Sequence, residues 1–175
     1  MKKVLLAVTF ALFLISPAVA QEPSLTIGGF EMHIGSSQTA VMAFVRKNYD
    51  VQQFTSPDSF LIFEHRQNPN GDWKSVGQVS FRNGKLIAAE KDWYRSYVGP
   101  GYKIVDALHA VLAQLERDGY TEATIHTDVV REPNTNIQSI RISFGKKWVD
   151  ILLGENNGGK EVSVTESIRF APLPK

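Results

Sequence analysis

Between residues 101 and 131 the chain changes its hydrophobic period, and that change restricts the folds open to it. Ile104, Leu108, Val111, Leu112 and Leu115 recur at helical spacing, and Gly119 offers a stop. Directly afterwards Ala123, Ile125, Thr127 and Val129 alternate with Glu122, Thr124, His126 and Asp128. The first pattern predicts an amphipathic helix and the second a half-buried strand. A helix with one apolar face must bury it, and the flanking strands offer the only large apolar surface. The expected fold class is therefore α+β, an antiparallel sheet packed by helices.

Upstream, the same reasoning predicts a first helix over 38–48. Val41, Phe44, Val45 and Tyr49 make its stripe, Met42 and Ala43 widen it, Ser36 or Ser37 can cap it, and Arg46 and Lys47 sit in its last turn. Residues 21–35 read as extended, with Leu25, Ile27 and Phe30 facing inward and Gly28-Gly29 giving a bulge or bend. That Gly pair lacks the further glycines and the Lys-Ser/Thr of phosphate-cradling loops.

Strands are predicted over 51–55, 59–66, 73–82 and 85–91, with a turn cluster at Asn68-Pro69-Asn70-Gly71-Asp72. Asn83-Gly84 is the strongest local signal, because a two-residue hairpin turn needs positive φ at both centres. It sets Arg82 against Lys85 and Phe81 against Leu86, with Val79 and Ala88 on the same face. Residues 92–102 read as a linker. After the second helix, Ile140, Ile142 and Phe144 form one inward set, and Val149, Ile151 and Leu153 oppose Trp148, Asp150 and Leu152. Residues 155–160 make a hairpin loop, and Val162, Val164, Ile168 and Phe170 return along the last strand.

Both halves thus read as one amphipathic helix followed by about four antiparallel strands. Two plans satisfy this. One is a tandem repeat of helix plus four-stranded meander, joined near Gly99, with units over 21–99 and 100–175 that can form a single domain. The other is one curved sheet of six to eight strands with both helices on one face.

The first twenty residues stand outside this pattern. Lys2 and Lys3 precede an apolar run from Val4 to Ile15 and then Ala18-Val19-Ala20. That order predicts a secretory signal peptide over 1–20, and the run is shorter than the ~20 apolar residues a membrane span needs. Its removal from the 175 residues leaves 155, enough for one compact domain. Without Lys2 and Lys3, 17 basic residues face 18 acidic ones, a formal charge of −1 with no long charge run. This argues against nucleic acid as a partner. There is no cysteine, which excludes thiol nucleophiles, thiolate metal sites and an N-terminal lipid anchor. An exported chain of this size without disulfides is held by its core, which suits a soluble periplasmic or secreted protein with no membrane span after cleavage.

The segment Ile34-Gly35-Ser36-Ser37-Gln38-Thr39-Ala40-Val41 resembles the start of a small periplasmic helix–strand module. That module occurs in outer-membrane assembly lipoproteins of the SmpA/OmlA type and, in tandem, in secreted beta-lactamase inhibitor proteins. The shared pattern is a Gly, one residue, a hydroxyl cap and a Val one turn on, here Gly35, Ser37 and Val41. The chain departs from it in having Asn48-Tyr49-Asp50 where the module has Gly-x-Pro, and in lacking the lipid-bearing cysteine and the inhibitors' disulfides. The resemblance implies an α+β architecture and protein binding, and it transfers no functional residue.

Chemistry-bearing residues are sparse in pattern. His126 and Asp128 share one strand face, so an imidazole and a carboxylate could reach one metal, but zinc would need a third ligand, from another strand such as Glu64 or His65. No serine sits in a Gly-x-Ser-x-Gly elbow. Asp150, Glu155, Glu161 and Glu166 could supply carboxylate pairs for glycoside hydrolysis, as chance would allow in any chain with 18 acidic residues. The aromatic residues Trp93, Tyr94, Tyr97 and Tyr102, with Arg95 among them, are the types enriched at interface hot spots, and they can equally fill a seam between sub-structures.

The expectation is a non-enzymatic, cofactor-free exported protein that binds another envelope or secreted protein through a concave sheet face or the 93–102 segment. Binding of a small apolar ligand between helix and sheet is the second reading, and a metal-assisted hydrolase the third. Strand edges also allow pairing with another copy.

Overall fold

The computed structural model describes residues 22–65, 73–96, 103–132, 135–156 and 159–170. The expected leader, Tyr97 and Tyr102 lie outside the described residues. In chain order the elements are β1 (Ser24–Ile27), β2 (Phe30–His33), α1 (Gln38–Asn48), β3 (Asp50–Gln53), β4 (Ser59–Phe63), β5 (Ser75–Arg82) and β6 (Lys85–Ser96), then α2 (Lys103–Arg117), β7 (Thr124–Glu132), β8 (Thr135–Phe144), β9 (Lys147–Asn156) and β10 (Gly159–Arg169). The protein is a mixed α+β fold with antiparallel strand pairing. β1 and β2 form a hairpin, and the other strands form an eight-stranded sheet in the order β3-β4-β5-β6-β10-β9-β8-β7. Each half of that sheet is a sequential meander, and the two meet where the last strand of each, β6 and β10, pair.

Local chemistry sets the turns. Asn83 and Gly84 take φ of 52° and 70°, as the two-residue hairpin requires, and Arg82 and Lys85 face each other across it. Gly28 and Gly29 likewise have positive φ and turn β1 into β2, so of the bulge and the bend expected at this pair it is the bend that forms, closing a hairpin. Ser37 is the N-cap of α1 but makes no side-chain cap hydrogen bond. The helix entry is held by backbone instead: Gln38 N–H donates to the Gly84 carbonyl at 2.9 Å, and Gly35 and Leu86 are linked through Gly35 N–H to the Leu86 carbonyl at 2.8 Å. The Ser36 hydroxyl accepts from the His33 amide.

The sequence reading is corrected at β6. Residues 92–96 are not linker; they extend the strand to Ser96 and pair with β10. Two irregularities shape this long strand. Ile87 is an extra residue between the Leu86–Phe81 and Ala88–Ser80 pairs, so Ala89, not Ala88, opposes Val79 and is buried. Trp93 is the second extra residue, between Asp92 opposite Thr165 and Tyr94 opposite Val164.

Two apolar clusters hold the elements together. In the first, Val41, Met42 and Val45 of α1 join Leu25, Ile27 and Met32 of the hairpin and Ile62, Val79, Phe81, Leu86, Ala89 and Ile168 of the sheet. In the second, Val111 and Leu115 of α2 join Val149, Ile151 and Val164, with Trp93, Tyr94, Ile142 and Phe144 packed against them. Val164 and Ile168 lie on the same side of β10, so one strand serves both clusters from one face. Each fully buried aliphatic side chain of this kind is worth about 1.5–3 kcal/mol relative to exposure.

Candidate functional site on the open face of the sheet

The period-two rule assigns the other face. On β10, with Val164, Glu166 and Ile168 turned toward the clusters, Glu161, Ser163, Thr165 and Arg169 point away. On β9 the outward set is Trp148, Asp150 and Leu152, and on β8 it is Ile137, Ser139, Arg141 and Ser143. Together with Glu90 and Arg95 of β6 and His126 and Asp128 of β7, these residues line an open groove of about 960 Å³. No residue of α1 or α2 is in its lining.

Ion pairs organise the groove. Arg141 forks onto Asp150, Nε at 2.6 Å from Oδ1 and Nη2 at 3.0 Å from Oδ2, across a β8–β9 register that sets the two residues opposite each other. The hydrogen bond to Asp150 raises the guanidinium pKa further, so Arg141 stays charged. Arg169 Nη2 donates to Glu90 Oε1 at 2.6 Å across the strands flanking the junction. Arg95 Nη2 donates to Asp92 Oδ1 at 3.0 Å, its Nε lies 3.7 Å from Glu161 Oε1, and the Ser75 hydroxyl donates to Asp92. The half-buried, bidentate Arg141–Asp150 pair is geometrically fixed, unlike a mobile surface pair, and the other two arginines each reach a carboxylate through Nη2. Trp148, only 7% exposed, belongs to the same lining.

Beside this lattice is an apolar recess of about 310 Å³ lined by Ile137, Leu152, Gly154, Glu155, Gly159, Lys160 and Glu161. Gly154 pairs with Ile137 on one side and Glu161 on the other. A Cβ there would stand 3.3 Å from Leu152 Cδ2 and 3.9 Å from Ile137 Cγ1, so the glycine keeps the floor of the recess open. An aliphatic or aromatic group inside a charged rim is the anatomy of a protein interface.

The residues singled out from sequence are distributed over both faces. Arg95 reaches the groove. Trp93 and Tyr94 are half-buried and pack against the second cluster on the opposite side. The Trp93 indole Nε1 donates to Glu166 Oε2 at 2.8 Å, and Lys91 Nζ lies 3.9 Å from the indole centroid. Glu166 also pairs at 2.7 Å with Lys147, which donates at 2.8 Å to the Ser24 carbonyl. Burial lowers the Lys91 pKa from its ordinary value, while burial and then Asp118 raise that of Tyr120 nearby.

His126 and Asp128 do share the outward face of β7, opposite Arg141 and Ser139. Asp128 Oδ1 accepts from the Val129 amide. Among the described residues no three His, Cys, Asp or Glu side chains gather as a metal site. His65, considered as a third ligand, instead bonds Asp50 at 2.9 Å, and it follows β4, which five strands separate from β7 in the sheet. Of the four carboxylates considered for hydrolysis, Asp150 is held by Arg141, while Glu166 points to the opposite face from Glu161. Arg141, Arg169, Glu90 and Ile137 went unremarked in the sequence, although the alternation of 137, 139, 141 and 143 signals a common face.

No family model, curated protein or solved structure matches the chain. Among the described residues no helix is long and apolar enough to cross a membrane.

Proposed function

We propose that the protein is a non-enzymatic exported binding protein that docks another envelope or secreted protein on the open face of its eight-stranded sheet. The observation that carries this reading is the recess over Gly154, apolar at Ile137 and Leu152 and edged by Glu155, Lys160 and Glu161, which opens beside the groove that holds the Arg141–Asp150 and Arg95–Glu161 pairs. A partner side chain inserted there would be desolvated at the centre of a polar rim, the arrangement in which interface energy concentrates. The charge lattice supports a protein partner over a small apolar ligand, because three arginines, each paired with carboxylates, offer a pattern to be matched rather than a greasy cavity. On this reading the units over 21–99 and 100–175 are tandem versions of one helix-plus-meander plan. Their edge-to-edge junction at β6 and β10 supplies Glu90, Arg95 and Arg169 to the groove.

The test is crosslinking and capture from native envelope and periplasmic fractions with the parent protein, a Leu152→Asp variant and a Trp93→Ala variant, each checked for folding by circular dichroism. Capture of one partner by the parent, reduced at least ~10-fold by Leu152→Asp, is the expected result, since a central anchor is worth ~2 kcal/mol or more. Loss with Trp93→Ala alone would move the surface to the aromatic segment. Equal capture by all three would overturn the open-face reading.

A further inference from the structure

β7 forms one edge of the eight-stranded sheet. All nine of its residues are exposed, Ile125 at 64% and Val129 at 52%. Edge strands are ordinarily blunted by short length, lysine, proline or a bulge, because their free amides and carbonyls are a template for another strand. The opposite edge follows that rule, since β3 has only four residues. β7 does not: residues 124–130 hold no Lys, Arg or Pro, the nine-residue strand pairs with β8 without a register shift, and the bond from the Val129 amide to Asp128 Oδ1 is a local one that a pairing strand would replace.

We propose that β7 pairs antiparallel with β7 of a second copy of this chain, about a twofold axis through Thr127, so that the two eight-stranded sheets become one. The register follows from the sequence of the strand itself. In a symmetric antiparallel pair, residues equally distant from the axis face each other. With Thr127 on the axis, Ile125 faces Val129 of the second copy on the clustered side of the sheet, and His126 faces Asp128 of the second copy on the groove side. Symmetry makes each contact twice. Moving the axis to Asp128 sets two carboxylates against each other, and moving it to His126 sets two imidazoles together while facing Ile125 with Thr127. Only the Thr127 axis among these satisfies both faces.

The surroundings fit this occupant. Ile140, opposite Thr127 on β8, and Leu153 on β9 are also exposed and continue the apolar stripe inward from Ile125 and Val129. His126 and Asp128 already line the groove, so pairing would run the grooves of the two copies into one another. This inference does not depend on the partner proposed above, and it is tested on the purified protein alone.

The absence of cysteine makes the register directly readable. Light scattering and sedimentation on the parent should give twice the monomer mass, and Val129→Lys, a substitution at an exposed site, should give the monomer with unchanged circular dichroism. Under mild oxidation, Thr127→Cys should crosslink to itself, and a mixture of His126→Cys and Asp128→Cys chains should crosslink as heterodimers. One of these samples a wide backbone pair and the other a narrow one, so one is within bridging reach whichever groups β7 presents. Ile125→Cys should not crosslink to itself, because its copy lies four residues along, about 13 Å away. A parent that stays monomeric at ~100 μM, a scale well above useful homodimer Kd values, would overturn the proposal. So would a dimer that crosslinks at Ile125→Cys, or at neither of the expected pairings.

Discussion

At the scale of single residues, the most constrained group is the buried ion pair behind Trp93. Lys147 and Glu166 sit side by side on β9 and β10, their side chains 3% and 4% exposed, and each has a second partner: the Ser24 carbonyl for Lys147, the Trp93 indole for Glu166. In the sequence Lys147 falls between the inward set that ends at Phe144 and the one that begins at Val149, and Glu166 is one of four carboxylates that chance would allow. Neither position could be read correctly from local pattern, because the meaning of both comes from a register between β9 and β10 and from a hairpin more than a hundred residues upstream. Removing one member leaves the other charge buried without its counter-ion, which typically costs ~3–5 kcal/mol. Glu166→Gln is therefore expected to lower stability by that amount in urea titration, although it nearly preserves volume and one acceptor for the indole. Replacing both, Lys147→Met with Glu166→Leu, should cost less than the single change. A single variant within ~0.5 kcal/mol of the parent, the range of ordinary surface changes, would show that the pair is not desolvated as described.

At the scale of elements, the helix stripes and the Asn83-Gly84 turn were legible and the long strand was not, while the turn cluster read over 68–72 lies outside the described residues. The 3.6-residue stripe located α1 to the residue, and Asn83-Gly84 fixed its hairpin, because each depends on interactions within a few residues. β6 fails that test of locality. Its bulges at Ile87 and Trp93 break the period-two alternation twice, so residues 92–96 present no readable face and resemble a linker. The same bending shows on its partner β5, where Gly77 stands so close to β6 that a Cβ would lie 2.0 Å from the Glu90 carbonyl oxygen. The obstacle is backbone, which cannot swing aside as a side chain would. Gly77→Ala must separate β5 from β6 locally, at about 1–3 kcal/mol or more for overpacking. Its effect should appear as accelerated amide exchange centred on Gln78 and Glu90, residues that face each other in the ladder. A neutral Gly77→Ala would mean the strands are farther apart than this geometry holds.

At the scale of the whole molecule, composition and period gave the class, two helices with antiparallel strands, and left two arrangements open. Strand order could not decide between them from sequence, because the β6–β10 pairing joins segments with α2 and three strands between them, and nothing in either segment names its distant neighbour. The pairing has a mechanical consequence. Ile168 belongs to the α1 cluster and Val164 to the α2 cluster, four residues apart on one strand, and Lys147 ties the second half to the β1–β2 hairpin of the first. Neither cluster can lose β10 without uncovering the other, so the two halves should open together rather than as separate units. Native-state exchange is the measurement: the amides of Val79 in β5 and Ile151 in β9, each buried in a different cluster, should share one opening free energy and the same dependence on denaturant. If Ile151 opens at lower denaturant than Val79 with about half the slope, the seam at β6 and β10 is the weak line, and the helix-plus-meander units are independent folding units in contact. Because Glu90, Arg95 and Arg169 reach the groove only through that seam, independent opening would also dismantle the charged rim on the open face, and partner capture would then fall at denaturant concentrations far below global unfolding.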